Sequence, residues 1–370
     1  MKRRTHMNVL KLFFPTLLIV CLFPLTTLAE CIQGNCLNGK GIETYADGEQ
    51  YEGEFKFGIR NGQGTLTFKS GTVYVGEFLD GERHGRGTAT YSDGKKYTGE
   101  YFNGQRTGQG NLTLADGNHY TGEFRDGLPN GKGTLIYANG EQYTGEFKNG
   151  IPDGQGTYTF QDNSKYTGTW KDGQRSGQGV MKHLDGEEYS GEFKNGQRDG
   201  HGIYSFKSGA RYEGQWSGGE RNGQGAETYS DGKKYKGKFR DGQRNGKGEM
   251  RYPDGIRYLG EWKNGMRDGN GTVTYPDGRK YSGELREGNV HGQGTLTMND
   301  NTIYKGAFTN GKFNGEGRIV YPDGTAYAGS WKNGVRHGYG LFKEPSGKIV
   351  EGTWRNDMYM GEEKAINQEQ

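Results

Sequence analysis

Residues 258 to 280 read YLGEWKNGMRDGNGTVTYPDGRK, and this 23-residue unit recurs thirteen times without insertion or deletion. Its leading tyrosine stands at positions 51, 74, 97, 120, 143, 166, 189, 212, 235, 258, 281, 304 and 327, and a further copy opens at Val350 and stops short. Counted from that tyrosine, glycine occupies unit positions 3, 8, 12 and 14 in every full copy. Self-similarity at a short fixed period marks a repeat array, in which each unit buries its apolar face against its neighbours. Columns that never vary between copies are those the fold needs everywhere. Selectivity for a partner therefore belongs to columns that do vary.

Within the unit, Tyr258, Gly260 and Trp262 alternate with Leu259 and Glu261, and Gly271, Val273 and Tyr275 alternate with Thr272 and Thr274. Two short strands of period 2 are predicted. One face carries rings at unit positions 1, 5 and 18, with an aliphatic or aromatic residue usually at 16, and the other is polar and rich in threonine, as in an antiparallel sheet with one wet face. Glycine at positions 3 and 14 leaves room for rings of neighbouring strands to lie flat over the backbone. The Asp-Gly pair after the second strand, from Asp47-Gly48 to Asp323-Gly324, reads as the tight hairpin turn. The stretch from Lys263 to Asn270, with glycine at unit positions 8 and 12, reads as the longer connection. The expected fold is all-β, an elongated single-layer antiparallel β-sheet of stacked hairpins. Thirteen hairpins, a half-repeat strand before them and one strand after them supply twenty-eight strands.

Composition alone points elsewhere, because 70 of 370 residues are glycine and the mean hydropathy is −1.01, values typical of disorder. The fixed apolar columns overrule it. Residues 1–29 form a separate object: Lys2, Arg3, Arg4 and Lys11, an apolar run from Leu12 to Leu25, then Thr27, Leu28 and Ala29. These are the three parts of a secretory signal peptide, with cleavage expected after Ala29. The run is too short, and too interrupted by Pro15 and Pro24, for a membrane span of about 20 apolar residues. Removing four basic residues takes the 48 Lys and Arg to 44, against 45 Asp and Glu, so no basic bias toward nucleic acid remains. The organisation expected is a signal peptide at 1–29, a cap and half-repeat at 30–50, thirteen repeats at 51–349, and a truncated repeat with a polar tail at 350–370. The tail RNDMYMGEEKAINQEQ is read as unpaired.

The pattern Tyr-x-Gly-Glu-[Phe/Trp]-x-x-Gly-x-x-x-Gly-x-Gly-Thr, as in YTGEFKNGIPDGQGT from Tyr143 to Thr157, resembles the MORN repeat, the membrane occupation and recognition nexus, over residues 39 to 354. The resemblance implies a solenoid-like ribbon of hairpins used for protein contacts, self-association and contacts with acidic lipid. It identifies a scaffold and no chemistry.

His84, His119, His183, His201, His291 and His337 fall in different columns with no nucleophile motif beside them, which favours loop decoration over catalysis. The aspartate column (Asp47, Asp93, Asp116, Asp185, Asp231, Asp254, Asp277, Asp323) offers one carboxylate per turn, too few for the 6 to 8 oxygens that calcium takes. Turn chemistry accounts for it. Cys31 and Cys36, the only cysteines after the leader, make a poor zinc pair and in an exported chain read as a disulfide clasp. Arginine recurs at unit position 10, including Arg221, Arg244 and Arg267, as a row of cations for acidic headgroups or as partners of the glutamate at position 4. All five tryptophans stand at unit position 5, and in a sheet without a second layer Trp170, Trp216 and Trp262 are the expected partner-binding anchors. The alternative is that the rings close into the protein's own core. No cofactor or metal is implied. The reading is a non-enzymatic scaffold, secreted or periplasmic, that binds a protein or its own copy. The alternative is a peripheral binder of anionic lipid through Arg221, Arg244 and Arg267.

Overall fold

One repeat folds as one hairpin. In a computed structural model that describes residues 29 to 362, the strand Arg257–Lys263 runs antiparallel to Met266–Thr274, with Tyr258 facing Val273 and Gly260 facing Gly271. Met266–Thr274 pairs in turn with Lys280–Arg286, Val273 facing Tyr281. The chain divides into two compact units, residues 1–197 and 198–370. In the first, fifteen strands run from Glu30–Gly34 to Glu188–Lys194, and in the second fifteen run from Gln197–Ser205 to Met358–Gly361. Each is an open antiparallel sheet of hairpins with no helix among the described residues, so the fold is all-β as read from the period. The leader, up to residue 28, lies outside the described residues.

The two kinds of turn are the reverse of the expectation. Asn264 and Gly265, at unit positions 7 and 8, have φ of 50° and 82°. Two successive left-handed residues make the two-residue hairpin turn whose twist matches that of the strands. The other connection is the longer one: Tyr275 accepts the Gly278 N–H at 3.1 Å and donates its own to the Arg279 carbonyl at 2.9 Å. Of Asp277 and Gly278 only the glycine is left-handed, at φ 91°. The Asp277 carboxylate accepts the Arg279 N–H at 3.1 Å, and the seven other aspartates of that column make the same contact two residues ahead. Turn chemistry is what the column does.

The second strand is longer than its alternation suggests because it continues through a bulge. Glu261 alone lies between the pairs Gly260–Gly271 and Trp262–Arg267, whereas Asp268, Gly269 and Asn270 lie between them on the other strand. Gly269, at φ 103°, takes up the extra length.

Both ends carry a strand beyond the twenty-eight. Glu30–Gly34 pairs with Gly39–Thr44, and a disulfide joins Cys31 to Cys36 with Cα atoms 5.9 Å apart. At the other end the polar tail is not unpaired throughout: Met358–Gly361 folds back on Ile349–Arg355, with Trp354 facing Tyr359. Each outermost strand therefore covers the edge of a regular repeat.

Candidate binding surfaces

The aromatic face is closed. Tyr258 lies down along the sheet over glycines of its own hairpin rather than over a neighbouring one. A Cβ at Gly260 or Gly271 would strike its ring or hydroxyl, and that hydroxyl donates to the Glu261 carbonyl at 2.8 Å. Trp262 meets Tyr258 edge to face at 5.3 Å and Tyr235 of the preceding repeat at 5.2 Å. The Trp262 Nε1–H donates to the Gly248 carbonyl at 3.2 Å. The zigzag of rings recurs through both units, for example from Tyr51 to Phe78 and from Tyr74 to Tyr101. A ring lying flat with a ring on either side is covered without a second layer, so Trp170, Trp216 and Trp262 are only 2%, 6% and 4% exposed. The expectation that they stand out as partner anchors is corrected: they are core. Burial of about 150–250 Å² per ring at about 25 cal/mol per Å² is worth about 4 to 6 kcal/mol, which explains why the columns beneath them do not vary.

The arginine column is part of the same construction. Arg244 lies over Trp262 at 4.5 Å and donates to the Gly265 carbonyl at 2.6 Å, while the Gly265 N–H donates to the Arg244 carbonyl at 3.0 Å. Arg221 with Gly242 and Arg267 with Gly288 repeat this reciprocal bond, the guanidinium donating at 2.6 and 2.7 Å. Each arginine thus ties its own turn to the next. Half-buried and committed to a carbonyl and a ring, Arg221, Arg244 and Arg267 are not a row of free cations, and this expectation is corrected too. Nor do Glu77, Glu100 and Glu261, at position 4, pair with arginine among the described residues. Their carboxylates face the bulge, where they accept the N–H of Arg86, Gln109 and Asn270 at 3.0, 3.2 and 3.0 Å. The two columns vary independently because they do separate jobs.

A charged group enters the core of the second unit. Glu227, at unit position 16, is 7% exposed. It accepts from Arg221 at 2.6 Å and from the Tyr229 hydroxyl at 2.6 Å. Burial, then that bond to Glu227, holds the Tyr229 hydroxyl well above the ordinary phenol range. Among the described residues no group of histidine, cysteine, aspartate and glutamate converges to hold a metal.

The opposite face is polar and open. In the first unit a shallow cavity of about 570 Å³ crosses successive strands, floored by Gly76, Gly87, Gly99 and Gly110 and walled by Glu77, Arg86 and Glu100 on one side and Thr88 and Thr98 on the other. In the second unit a cavity of about 610 Å³ occupies the same columns, floored by Gly306, Gly317, Gly329 and Gly340. Hydroxyl and amide pairs line the threonine wall: Thr88 with Thr98 at 3.1 Å, Asn111 with Thr121 at 2.7 Å, Thr134 with Thr144 at 3.1 Å and Thr157 with Thr167 at 3.0 Å.

A family model described as the MORN repeat matches fifteen segments in series, from 37–50 and 51–73 through 327–348 to 351–362. The chain belongs to the MORN-repeat family. Among solved structures, this MORN chain is similar to the TCP10 domain of Danio rerio CPAP in complex with a peptide of Danio rerio STIL, at 14% identity and a TM-score of 0.25, over 85% of this chain and 98% of that one. It is similar to the SAS-4 (dCPAP) TCP domain in complex with a proline-rich motif of Ana2 (dSTIL) of Drosophila melanogaster, at 14% identity and a TM-score of 0.24, over 54% and 90%. A catalytically inactive virginiamycin B lyase from Staphylococcus aureus with quinupristin follows at 12% and 0.13, over 83% and 100%. At such identities and scores these likenesses carry no argument about this chain. No curated protein matches the sequence.

Within the MORN array, then, the invariant columns are spent on cohesion between repeats. Sequence reading placed the tryptophans and arginines on the correct columns and misjudged their exposure. It passed over Glu227, although a charge in a column otherwise filled by residues such as Leu66, Met250 and Ile319 was a usable signal. The bulge-holding role of the position 4 glutamate left no signal, because its partner is a backbone N–H.

Proposed function

We propose that this MORN protein is a non-enzymatic, exported scaffold that binds another protein or its own copy. The observation that carries the reading is the division of labour between columns: tyrosine, glycine and most position 10 arginines are consumed inside the array, while residues that differ from copy to copy stand on the open polar face and at the turn tips. The spread of the histidines over unrelated columns supports a role without catalysis. The leader with its charged start, apolar run and small residues supports export, and mass spectrometry of secreted or periplasmic protein should find a mature N-terminus at Glu30. An intact leader there would count against export. For the binding role, a partner recovered from the native compartment should bind the purified chain directly, or the purified chain should gain mass with concentration. A chain that stays monomeric and binds no purified protein removes the reading.

A second reading keeps one observation in its favour. With the arginines engaged, exposed cations remain at unit position 6 of the first unit, at Lys148, Lys171 and Lys194. Attraction of such a row to an anionic surface falls with salt. Cosedimentation with anionic vesicles that collapses at raised salt would favour it over the scaffold.

A further inference from the structure

The position 4 column carries a charge that the fold does not require. In the first unit it reads Glu54, Glu77, Glu100, Glu123 and Glu146 in five successive repeats, then Thr169 and Glu192. In the second it reads Gln215, Lys238, Glu261, Glu284, Ala307 and Ser330. Gln215 accepts the bulge N–H, here of Gln224, at 2.7 Å, and the register shift forms equally at Ala307 and Ser330. An amide serves the bulge as well as a carboxylate does, and the bulge forms without either. The negative charge of the first unit therefore needs another explanation. Glu54 lies 3.9 Å from Lys40, whereas Glu77, Glu100, Glu123 and Glu146 make no ion pair among the described residues. Glu77, Glu100 and Glu123 are held in place by the N–H of Arg86, Gln109 and Lys132 at 3.0, 3.2 and 3.1 Å. They form one wall of a track whose other wall is the row of threonine and asparagine pairs.

Arg86 and Lys132 stand in the same wall, across from Glu100 and Glu146, so four carboxylates outnumber two cations and the track keeps a net negative charge, which favours a cationic occupant. Along the track the carboxylates recur once per hairpin, two strand spacings or about 9.6 Å apart. A chain in the polyproline II conformation advances about 3.1 Å per residue with three residues per turn, so its like-facing side chains recur about every 9.3 Å. That conformation leaves its backbone groups without internal hydrogen bonds and open to the hydroxyls and amides of the threonine wall. We infer that the polar track of the first unit, along Glu77, Glu100, Glu123 and Glu146, binds an extended basic segment of a partner protein with lysine or arginine at every third residue. This rests on the scaffold reading and names the site and the chemistry of its partner.

The test uses the full mature chain and fluorescence anisotropy of two labelled peptides of one composition: four Lys-Pro-Pro triplets, and the same residues with the lysines together. The triplet peptide should bind more tightly than the clustered one, and raised salt should weaken it. Combining Glu77→Gln, Glu100→Gln and Glu123→Gln, which keeps the bulge acceptors and should keep the circular dichroism spectrum, should weaken binding about tenfold, the effect of three exposed ion pairs. Glu261→Gln with Glu284→Gln, in the second unit, should change nothing. Failure of the triplet peptide to bind, equal affinity for the two peptides, or no loss in the folded triple variant overturns the inference. If the peptide fails while a purified partner still binds, the track is wrong and the scaffold reading stands. If no protein binds and the chain stays monomeric, both fall.

Discussion

Gly260 and Gly278 separate two reasons for a glycine, and replacing each by alanine measures them. Gly260 is not left-handed, so an L-residue suits its backbone, but a Cβ there would lie 2.5 Å from the Gly271 Cα and 2.7 Å from the Asn270 carbonyl oxygen, and closer still to the Tyr258 hydroxyl. Backbone blocks two of those directions, so the tyrosine ring has to lift. Overpacking of this kind costs about 1 to 3 kcal/mol, and losing the Tyr258 bond to Glu261 adds about 1 kcal/mol, for a total of about 2 to 4 kcal/mol. Gly278 has nothing within 4 Å of its Cβ position but sits at φ 91°, so Gly278→Ala meets only the left-handed penalty of about 1 to 2 kcal/mol. Urea unfolding followed by circular dichroism and fluorescence gives the global cost. Hydrogen exchange over residues 258 to 283 shows whether the loss stays with neighbouring repeats, as a nearest-neighbour array requires. If Gly278→Ala cost more than Gly260→Ala, or Gly260→Ala stayed within about 0.5 kcal/mol of the parent, the account of the ring bed would be refuted.

Arg267→Ala removes a charged hydrogen bond to Gly288 at 2.7 Å and a guanidinium 5.6 Å over Tyr258, so it should cost about 2 kcal/mol in the same unfolding assay. Lys263→Ala, at the exposed position 6, should stay within about 0.5 kcal/mol. Burial pushes the hydroxyls of Tyr51, Tyr74, Tyr166, Tyr212, Tyr235, Tyr258, Tyr281, Tyr304 and Tyr327 up to about 12. Because the folded chain keeps protons that the unfolded chain releases near pH 10, their stabilising contribution is complete below pH 10 and is lost between about 10 and 12. Urea midpoints should fall steeply in that window, and a flat profile would contradict the burial of these rings. Glu227→Ala leaves Arg221 and Tyr229 without their shared partner and should cost about 3 kcal/mol. Glu227→Met, which copies Met250 of the next repeat, should cost less, and the reverse order would show that the pair is not desolvated.

How far the sequence carried can be judged residue by residue. The alternation from Tyr258 to Trp262 and from Gly271 to Tyr275 was enough for the hairpin, the two faces and the all-β fold, because period 2 follows directly from strand geometry. The turns were misread because Asp277-Gly278 is the familiar pair, although Asn264-Gly265 carried the stronger signal, an invariant glycine preceded in most copies by asparagine or aspartate. The burial of the tryptophans was hidden because a single layer suggests exposure, whereas a tyrosine laid flat over Gly260 and Gly271 supplies a wall from within the sheet. The arginine bonds were hidden for a different reason. Gly265 and Gly288 accept through their carbonyls, and a backbone partner leaves no trace in the side-chain columns. The strand Met358–Gly361 keeps a glycine at unit position 12 but lacks the glycine at 8 and the arginine at 10, so only one residue of the motif marked it as paired.

The central claim is that the aromatic face is the protein's own core, which sends any partner to the polar face. Quenching of tryptophan fluorescence by acrylamide on the native chain tests it most directly, because all five tryptophans share unit position 5 and none is more than 6% exposed. The account predicts blue-shifted emission that acrylamide barely quenches until urea unfolds the chain. Emission at the wavelength of solvent-exposed indole, quenched as fully before unfolding as after it, would contradict it.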